Sequence, residues 1–434
     1  HEQDSFGSRD FGVAKGWKRS FRLQMGMSKT VLVTCQVEEQ TYVADSKIGE
    51  EETPADASTV ESEIVAKSPK SAKDENDDEY DEGEDDGLDA VSLCRNAIAQ
   101  SETGEEVDQT LAPGVTIITL APSETGFPAW QRCEEYVESE ADLDRGYADW
   151  AIPEGADNSC PRILYCHGGG YEMHSPQSIY QPATSRLAAV SGMPVLAFDY
   201  RKCPEFKHPA QLDDATQAYN WIWENGPEGP GLATAVFLAG DSAGGGLALA
   251  LAVKLRDEPI EGREVAGVTV VSPETDLTCS GESYTSRRWV EGGEDHCDPM
   301  FKEDDPAEAS MPTVYSLLGH PEEEDSYHPT EAYLSVLHHD LHDLPPVQIQ
   351  VGDAEVMLSD SVDFAEKAIA AGSPVELEVW PRMWHTFTQF TEGCGLALDE
   401  PPQEPEQALQ LQGEFLMRIA QDWECEAEVE EPQS

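Results

Sequence analysis

The sequence predicts an α/β architecture, with a mostly parallel sheet covered by helices on both faces. Three observations carry this prediction. Short β-rich runs recur from residue 114 onward: GVTIITL, YADWAIP, RILYCH, PVLAFDY, AVFLAG, VAGVTVVS, PVQIQVG and VELEVW. Several are continuously apolar, as strands buried on both faces must be. Longer helical patterns such as QLDDATQAYNWIWENG and SVDFAEKAIAAG stand between them. Strands alternating with helices require crossover connections, which make neighbouring strands parallel.

The elements follow in order. Residues 1–110 read as an N-terminal extension. Its basic, acid-free stretch AKGWKRSFRLQMGMSK gives a weak hint of a targeting segment, and the chain starts at His1, so a preceding signal is compatible with it. Residues 45–87 are acidic and almost free of aromatic side chains, too poor in apolar surface to repay chain ordering, and so read as disordered. Within them Asp74, Asn76 and Asp78 begin a calcium-loop pattern, but Glu79 occupies the place where glycine must turn the loop, which excludes an EF-hand. LDAVSLCRNAIAQ, residues 88–100, reads as a helix and a candidate piece of a cap. Residues 111–424 then hold the sheet, its helices and the closing amphipathic pattern EPEQALQLQGEFLMRIAQDW, before an acidic tail at 425–434.

Charge narrows the partners. With 86 acidic and 27 basic residues the formal net charge is −59, which repels nucleic acid and anionic membrane surfaces alike. No apolar run approaches the ~20 residues of a membrane span, so stable membrane insertion is not expected. The acid extends into the second half of the chain, as in MFKEDDPAEAS, and is compatible with a high-salt setting or with a simply solvated surface. Ten cysteines without a C-x-x-C pair read as free thiols in a reducing compartment, hence a cytoplasmic location.

The chemistry begins at Ser242. AVFLAG ends in a tight turn, GDSAGGG, and a helical run follows. A G-x-S-x-G string is weak by itself, but between strand and helix it meets the requirement of a nucleophile elbow, with Gly240 and Gly244 keeping side chains out of the turn. A second string strengthens it. RILYCHGGGY places His167, Gly168, Gly169 and Gly170 after another core strand, and three consecutive glycines cost chain entropy unless backbone must approach something closely. A loop of free N–H groups is what a developing oxyanion requires.

A serine nucleophile needs a base, and the base an orienting acid. His385, in VELEVWPRMWHTFTQF, lies past the last strand and fits the chain order serine, acid, histidine. His338, His339 and His342 cluster in LSVLHHDLHDLPP, but lack the helical H-x-x-x-H frame of hydrolytic zinc sites; no metal is expected. After PVQIQVG stand Asp353, Glu355 and Asp360, and spacing leaves all three open as the acid.

Together these residues resemble the hormone-sensitive-lipase-like branch of the α/β-hydrolase fold, which contains carboxylesterases and arylacetamide-deacetylase-like enzymes. HGGGY, DYRKCPE, AGDSAGG, SPETDL, GDAEVMLSD and MWHTF recur in the family's order from about residue 110 to about 424. The resemblance implies an eight-stranded, mostly parallel sheet with a small helical cap, the cap insertion falling at about residues 280–320. It implies a triad of Ser242, Glu355 and His385, with Asp360 at a second, structural acidic position. It also implies oxyanion donors at the backbone of Gly169, Gly170 and Ala243. The expected activity is hydrolysis of short- to medium-chain acyl or aryl esters through an acyl-enzyme, without metal or organic cofactor. An amidase or deacetylase with the same triad is the first alternative; a receptor-like binding member is the second, against which the presence of His385 argues. A homodimer stays open. Departures from the pattern are Lys202 and Cys203, Val336, and Glu274 where tryptophan is common; Glu274, Lys202 and Cys203 bear on the pocket wall.

Overall fold

The computed structural model describes residues 21–25, 29–33, 88–101, 107–125, 147–289, 296–302, 317, 327–331 and 333–430. Eight strands build the central sheet: β1 (Val115–Leu120), β2 (Ala148–Pro153), β3 (Arg162–Cys166), β4 (Val195–Phe198), β5 (Val236–Asp241), β6 (Val265–Val271), β7 (Val347–Gly352) and β8 (Val375–Trp380). They lie in the order β1-β2-β4-β3-β5-β6-β7-β8. Only the pairs made by β2, with β1 and with β4, are antiparallel. Every strand of the sheet coincides with one of the runs read from the sequence: the central ones are apolar and almost wholly buried, while the edge strand β1 mixes half-buried and exposed residues.

Alternate residues of the central strands face opposite ways. Leu164, Leu238, Val268 and Ile349 pack with α3 (Ala210–Glu224), α4 (Ser242–Asp257) and α5 (Leu358–Ala370). Ile163, Tyr165, Phe237 and Ala239 pack instead with α2 (Gln181–Ser191) and α6 (Glu404–Glu430). The register sets Asp241, Val271 and Gln350 side by side, so β5, β6 and β7 end together. Loops leaving the carboxyl ends of a parallel sheet form its natural crevice.

Ahead of the sheet, Phe21–Met25 and Lys29–Val33 pair as an antiparallel hairpin, within and just beyond the stretch read as a weak targeting hint. The expectation of disorder at 45–87 lies outside the described residues; of the acidic tail read at 425–434, residues 425–430 continue the last helix, Glu404–Glu430, and 431–434 lie outside the described residues. Helix α1 (Ala90–Gln100) forms where predicted. Asp89 caps it, accepting from the Ser92 N–H at 2.9 Å, and a doubly bonded Arg382 guanidinium holds Asp89 in place. Val91, Cys94 and Ile98 of α1 pack on Met383, Trp384 and Phe387, around His385. The described part of the 280–320 insertion is a one-turn helix, Ser283–Ser286, and the short paired strands Arg288–Trp289 and Asp298–Lys302.

One expectation is corrected here. Cys94 and Cys394 form a disulfide, with Cα atoms 5.3 Å apart and 300 residues between them. Two cysteines so distant carry no spacing signature, and only the packing of α1 against the loop after His385 brings them together. The free-thiol reading is thereby corrected for this pair, while Cys160, Cys166, Cys203, Cys279 and Cys297 are thiols outside any disulfide. Among the described residues no helix is long and apolar enough to cross a membrane.

Candidate active site

Strand β5 runs directly into α4, and the joint is Ser242. Its φ of 52° lies in the left-handed region, an uncommon conformation for a residue with a side chain. The turn is crowded below: a Cβ on Gly240 or Gly244 would collide with the backbone carbonyl of Cys166, and one on Gly244 with that of His167 as well. Glycine on both sides thus lets backbone close in while the serine hydroxyl stands clear. Asp241 does not cap α4. Its carboxylate is buried and accepts from Tyr165 Oη at 2.7 Å, Tyr180 Oη at 2.8 Å and Gln389 Nε2 at 3.0 Å. The elbow is therefore anchored to three other elements, a support that adjacent sequence does not reveal.

The glycine loop leaves β3 beside this joint. His167 at its start is fully buried and stacks on Tyr200 with ring centroids 4.4 Å apart, while the Tyr200 hydroxyl donates to the His167 carbonyl at 2.8 Å. Those contacts make His167 a prop for the loop. Gly169 and Gly170 both have positive φ and line the same cleft as Ser242. Ala243, buried, is the second residue of α4, and N–H groups of a first helical turn have no acceptor within the helix.

His385 Nε2 sits 2.9 Å from Ser242 Oγ. On the other side of the ring, Nδ1 faces Glu355 Oε1 at 3.7 Å, an ion-pair separation longer than a formed hydrogen bond. Both atoms are buried and, among the described residues, neither has another hydrogen-bond partner, so each is the other's remaining option. The second oxygen, Oε2, accepts from Ser272 Oγ at 2.8 Å and from the Gly352 N–H at 2.9 Å. Ser272 Oγ in turn accepts from the Thr386 N–H at 3.0 Å. One hydroxyl thus ties the acid to the residue after the histidine. Sequence reasoning assigned no role to Ser272, although it opens the SPETDL motif at the end of a core strand.

The other acidic candidates are employed elsewhere. Asp353 accepts from the Arg382 N–H at 2.6 Å. Asp360 is buried and accepts from the N–H groups of Thr275 at 2.7 Å and Asp276 at 2.9 Å, pinning α5 to the loop after β6. The three clustered histidines do not converge on one point: His338 faces Asp276 at 2.9 Å, His339 Asp257 at 3.6 Å and His342 Asp340 at 2.9 Å.

Acid surrounds the imidazole. Burial alone would depress the His385 pKa, but Glu355, and then Asp298 and Asp241, outweigh it and hold the group above its ordinary value. Asp298, also missed in the sequence, is fully buried and accepts from the Val356 and Met300 N–H groups at 3.1 Å each. Burial pushes its carboxyl up to about 7 although His385 pulls it down. The cleft over these residues has a volume of about 280 Å³ and is walled by Met173, Ile179, Met300, Phe301 and Met357 among others. Apolar walls with a few convergent polar groups are the usual make-up of a small-molecule site.

An eight-stranded sheet, a serine on a strand-to-helix turn and a histidine loop past the last strand define the α/β-hydrolase class. A family model described as the alpha/beta hydrolase fold matches residues 163–389, and the chain belongs to that family. An acetyl-hydrolase of Streptomyces hygroscopicus is 39% identical over 242 residues, covering 55% of this chain and 72% of that protein. A carboxylesterase/phospholipase of Mycobacterium tuberculosis is 33% identical over 251 residues, covering 54% of this chain and 58% of its own length. Among solved structures, an esterase/lipase from an uncultured bacterium has a TM-score of 0.59 at 26% identity, covering 78% of this chain and 99% of that one. An esterase of the bacterial hormone-sensitive lipase family has a TM-score of 0.57 at 28% identity, covering 76% and 96%. The chain falls in the branch of the family whose members are ester hydrolases.

Proposed function

We propose that this chain is a serine carboxylesterase that cleaves short- to medium-chain acyl or aryl esters through an acyl-enzyme on Ser242. The observation that carries the reading is the 2.9 Å approach of His385 Nε2 to Ser242 Oγ inside a cleft shared with Gly169 and Gly170. In the proposed cycle, His385 Nε2 takes the Ser242 proton as Oγ attacks the ester carbonyl carbon. The backbone N–H groups of Gly169, Gly170 and Ala243 hold the oxyanion, and each such donor is worth roughly 3 kcal/mol of barrier. His385 then passes its proton to the departing alkoxide, leaving an alcohol and the acyl-serine. Water, deprotonated by His385, attacks the acyl-serine carbonyl; the C–Oγ bond breaks, His385 returns the proton to Ser242 Oγ, and the carboxylic acid leaves. Glu355 keeps the proton on Nδ1 and stabilises the imidazolium of both steps. A closing of the 3.7 Å gap as positive charge develops fits the rule that catalytic hydrogen bonds tighten on the way to the transition state.

The cleft's small volume supports modest acyl groups, since about 280 Å³ is near the lower end of ligand sites. Family relatives that include an acetyl-hydrolase leave the amide or acetyl substrate as the second reading. Turnover of p-nitrophenyl acetate, butyrate and palmitate, beside a matched butyryl anilide, tests both. The expected order is butyrate and acetate well above palmitate, with the anilide slower than its ester. Faster anilide turnover would replace the esterase reading with the amidase one, and undiminished turnover in His385→Ala would remove both.

A further inference from the structure

Glu274 is the one carboxylate on the cleft wall that the proposed cycle leaves unused, apart from the anchored Asp241. Its position is fixed by the chain, because its own N–H donates to the Ser242 carbonyl at 3.0 Å. The side chain is 7% exposed and lines the cleft with Ser242 and His385. Among the described residues no donor reaches its carboxylate. Other buried acids here are satisfied: Asp241 has three donors, Asp360 two backbone N–H groups and Asp298 another two. A largely buried carboxylate whose remaining contact is with the cleft is costly as an anion unless something in that cleft brings it a charge or a proton.

We propose that Glu274 makes the cleft selective for esters carrying an ammonium group within reach of the scissile carbonyl. This rests on the ester-hydrolase reading above and names its substrate class. Phe301 and Tyr180 line the same cleft and offer aromatic surface of the kind that holds quaternary or protonated amines. Phe301 stands edge-on to the His385 ring, with centroids 5.2 Å apart. The chain's net charge of −59 adds a long-range field that concentrates cations and repels anionic substrates. Burial, the largest influence, pushes the Glu274 carboxyl up to about 7, and Asp276 adds to the rise while His385 opposes it. Above that value the residue is an anion beside a small apolar cleft, and a cation is the group that offsets its desolvation.

The test compares isosteric pairs at about pH 8, where a group titrating near neutrality is ionised. One pair varies the acyl part: p-nitrophenyl 4-(trimethylammonio)butyrate against p-nitrophenyl 5,5-dimethylhexanoate. The other varies the alcohol part: butyrylcholine against 3,3-dimethylbutyl butyrate. The expected result is a kcat/KM preference of about tenfold or more for the cationic member of at least one pair, equivalent to a modest binding difference. Glu274→Gln should collapse that ratio, and Glu274→Asp should keep its sign. Calorimetry with tetramethylammonium gives a readout without turnover: binding to the wild type, at least about tenfold weaker in Glu274→Gln. Equal rates within both pairs, or a preference that survives Glu274→Gln, would overturn the inference. Absence of turnover on all four esters would instead break the ester-hydrolase reading, and the calorimetry would still decide the cation site.

Discussion

Two carboxylates flank the chemistry of this cleft, and their surroundings differ. Glu355 lies behind the His385 ring, fully buried, with one oxygen engaged by Ser272 and the Gly352 N–H and the other directed at Nδ1. Glu274 lies on the cleft wall, 7% exposed, with no donor to its carboxylate among the described residues. The first region is built to hold one charge in one place. The second holds a charge in readiness for something that arrives. On the proposed reading, the same functional group serves as an orienting acid or as a recognition element according to how completely its hydrogen bonds are met.

The sharpest break of that comparison is at the group both acids surround. Ser242→Ala should lower kcat/KM on p-nitrophenyl butyrate by about 10⁴-fold or more, since loss of the nucleophile leaves only binding and oxyanion donors. Glu355→Gln should cost about 10²- to 10⁴-fold in kcat, while Asp353→Asn costs little, because Asp353 serves the Arg382 N–H instead. The same variant tests the electrostatics. His385 must be neutral to accept the serine proton, so activity rises with pH through its pKa. Burial opposes the charged form, but Glu355 outweighs it and holds that pKa above the ordinary histidine value, so the acid limb should lie above that of a free imidazole in the wild type and move to lower pH in Glu355→Gln. A pH–rate profile of both proteins decides it.

Smaller effects follow from the supports. Ser272→Ala removes the link between Glu355 and the Thr386 N–H and should reduce kcat by about tenfold with KM little changed, the signature of a displaced rather than absent acid. Asp89→Ala deletes the cap of α1 and the Arg382 pairing far from the serine. It should lower unfolding free energy by about 1 kcal/mol in a denaturation curve, with kcat hardly altered. Molar salt should leave activity and Tm unchanged or raise them, because screening relieves repulsion within a chain of charge −59.

The same contrast explains what could be read from the sequence. The central strands were legible because a run such as RILYCH or VQIQV encodes burial on both faces locally. Ser242 and the glycine loop were legible because a close approach of backbone demands glycine at fixed places. The choice of Glu355 over Asp353 and Asp360 was not, and rested on resemblance: three carboxylates within eight residues look alike until the loop's path aims one at Nδ1. Ser272, Asp298 and the Cys94–Cys394 bond were illegible for the same reason, since each gains its meaning from partners contributed by other elements. Glu274 was visible as a departure from a familiar pattern, but only the cleft shows that its carboxylate stands there without a partner among the described residues.

The central claim is that Ser242 is a nucleophile made reactive by His385. Intact-mass analysis after exposure to a small fluorophosphonate tests it most directly, with peptide mapping to place the adduct. The account predicts one adduct, on Ser242, formed slowly in His385→Ala and absent in Ser242→Ala. An adduct elsewhere, or one on Ser242 that forms equally fast without His385, would contradict it.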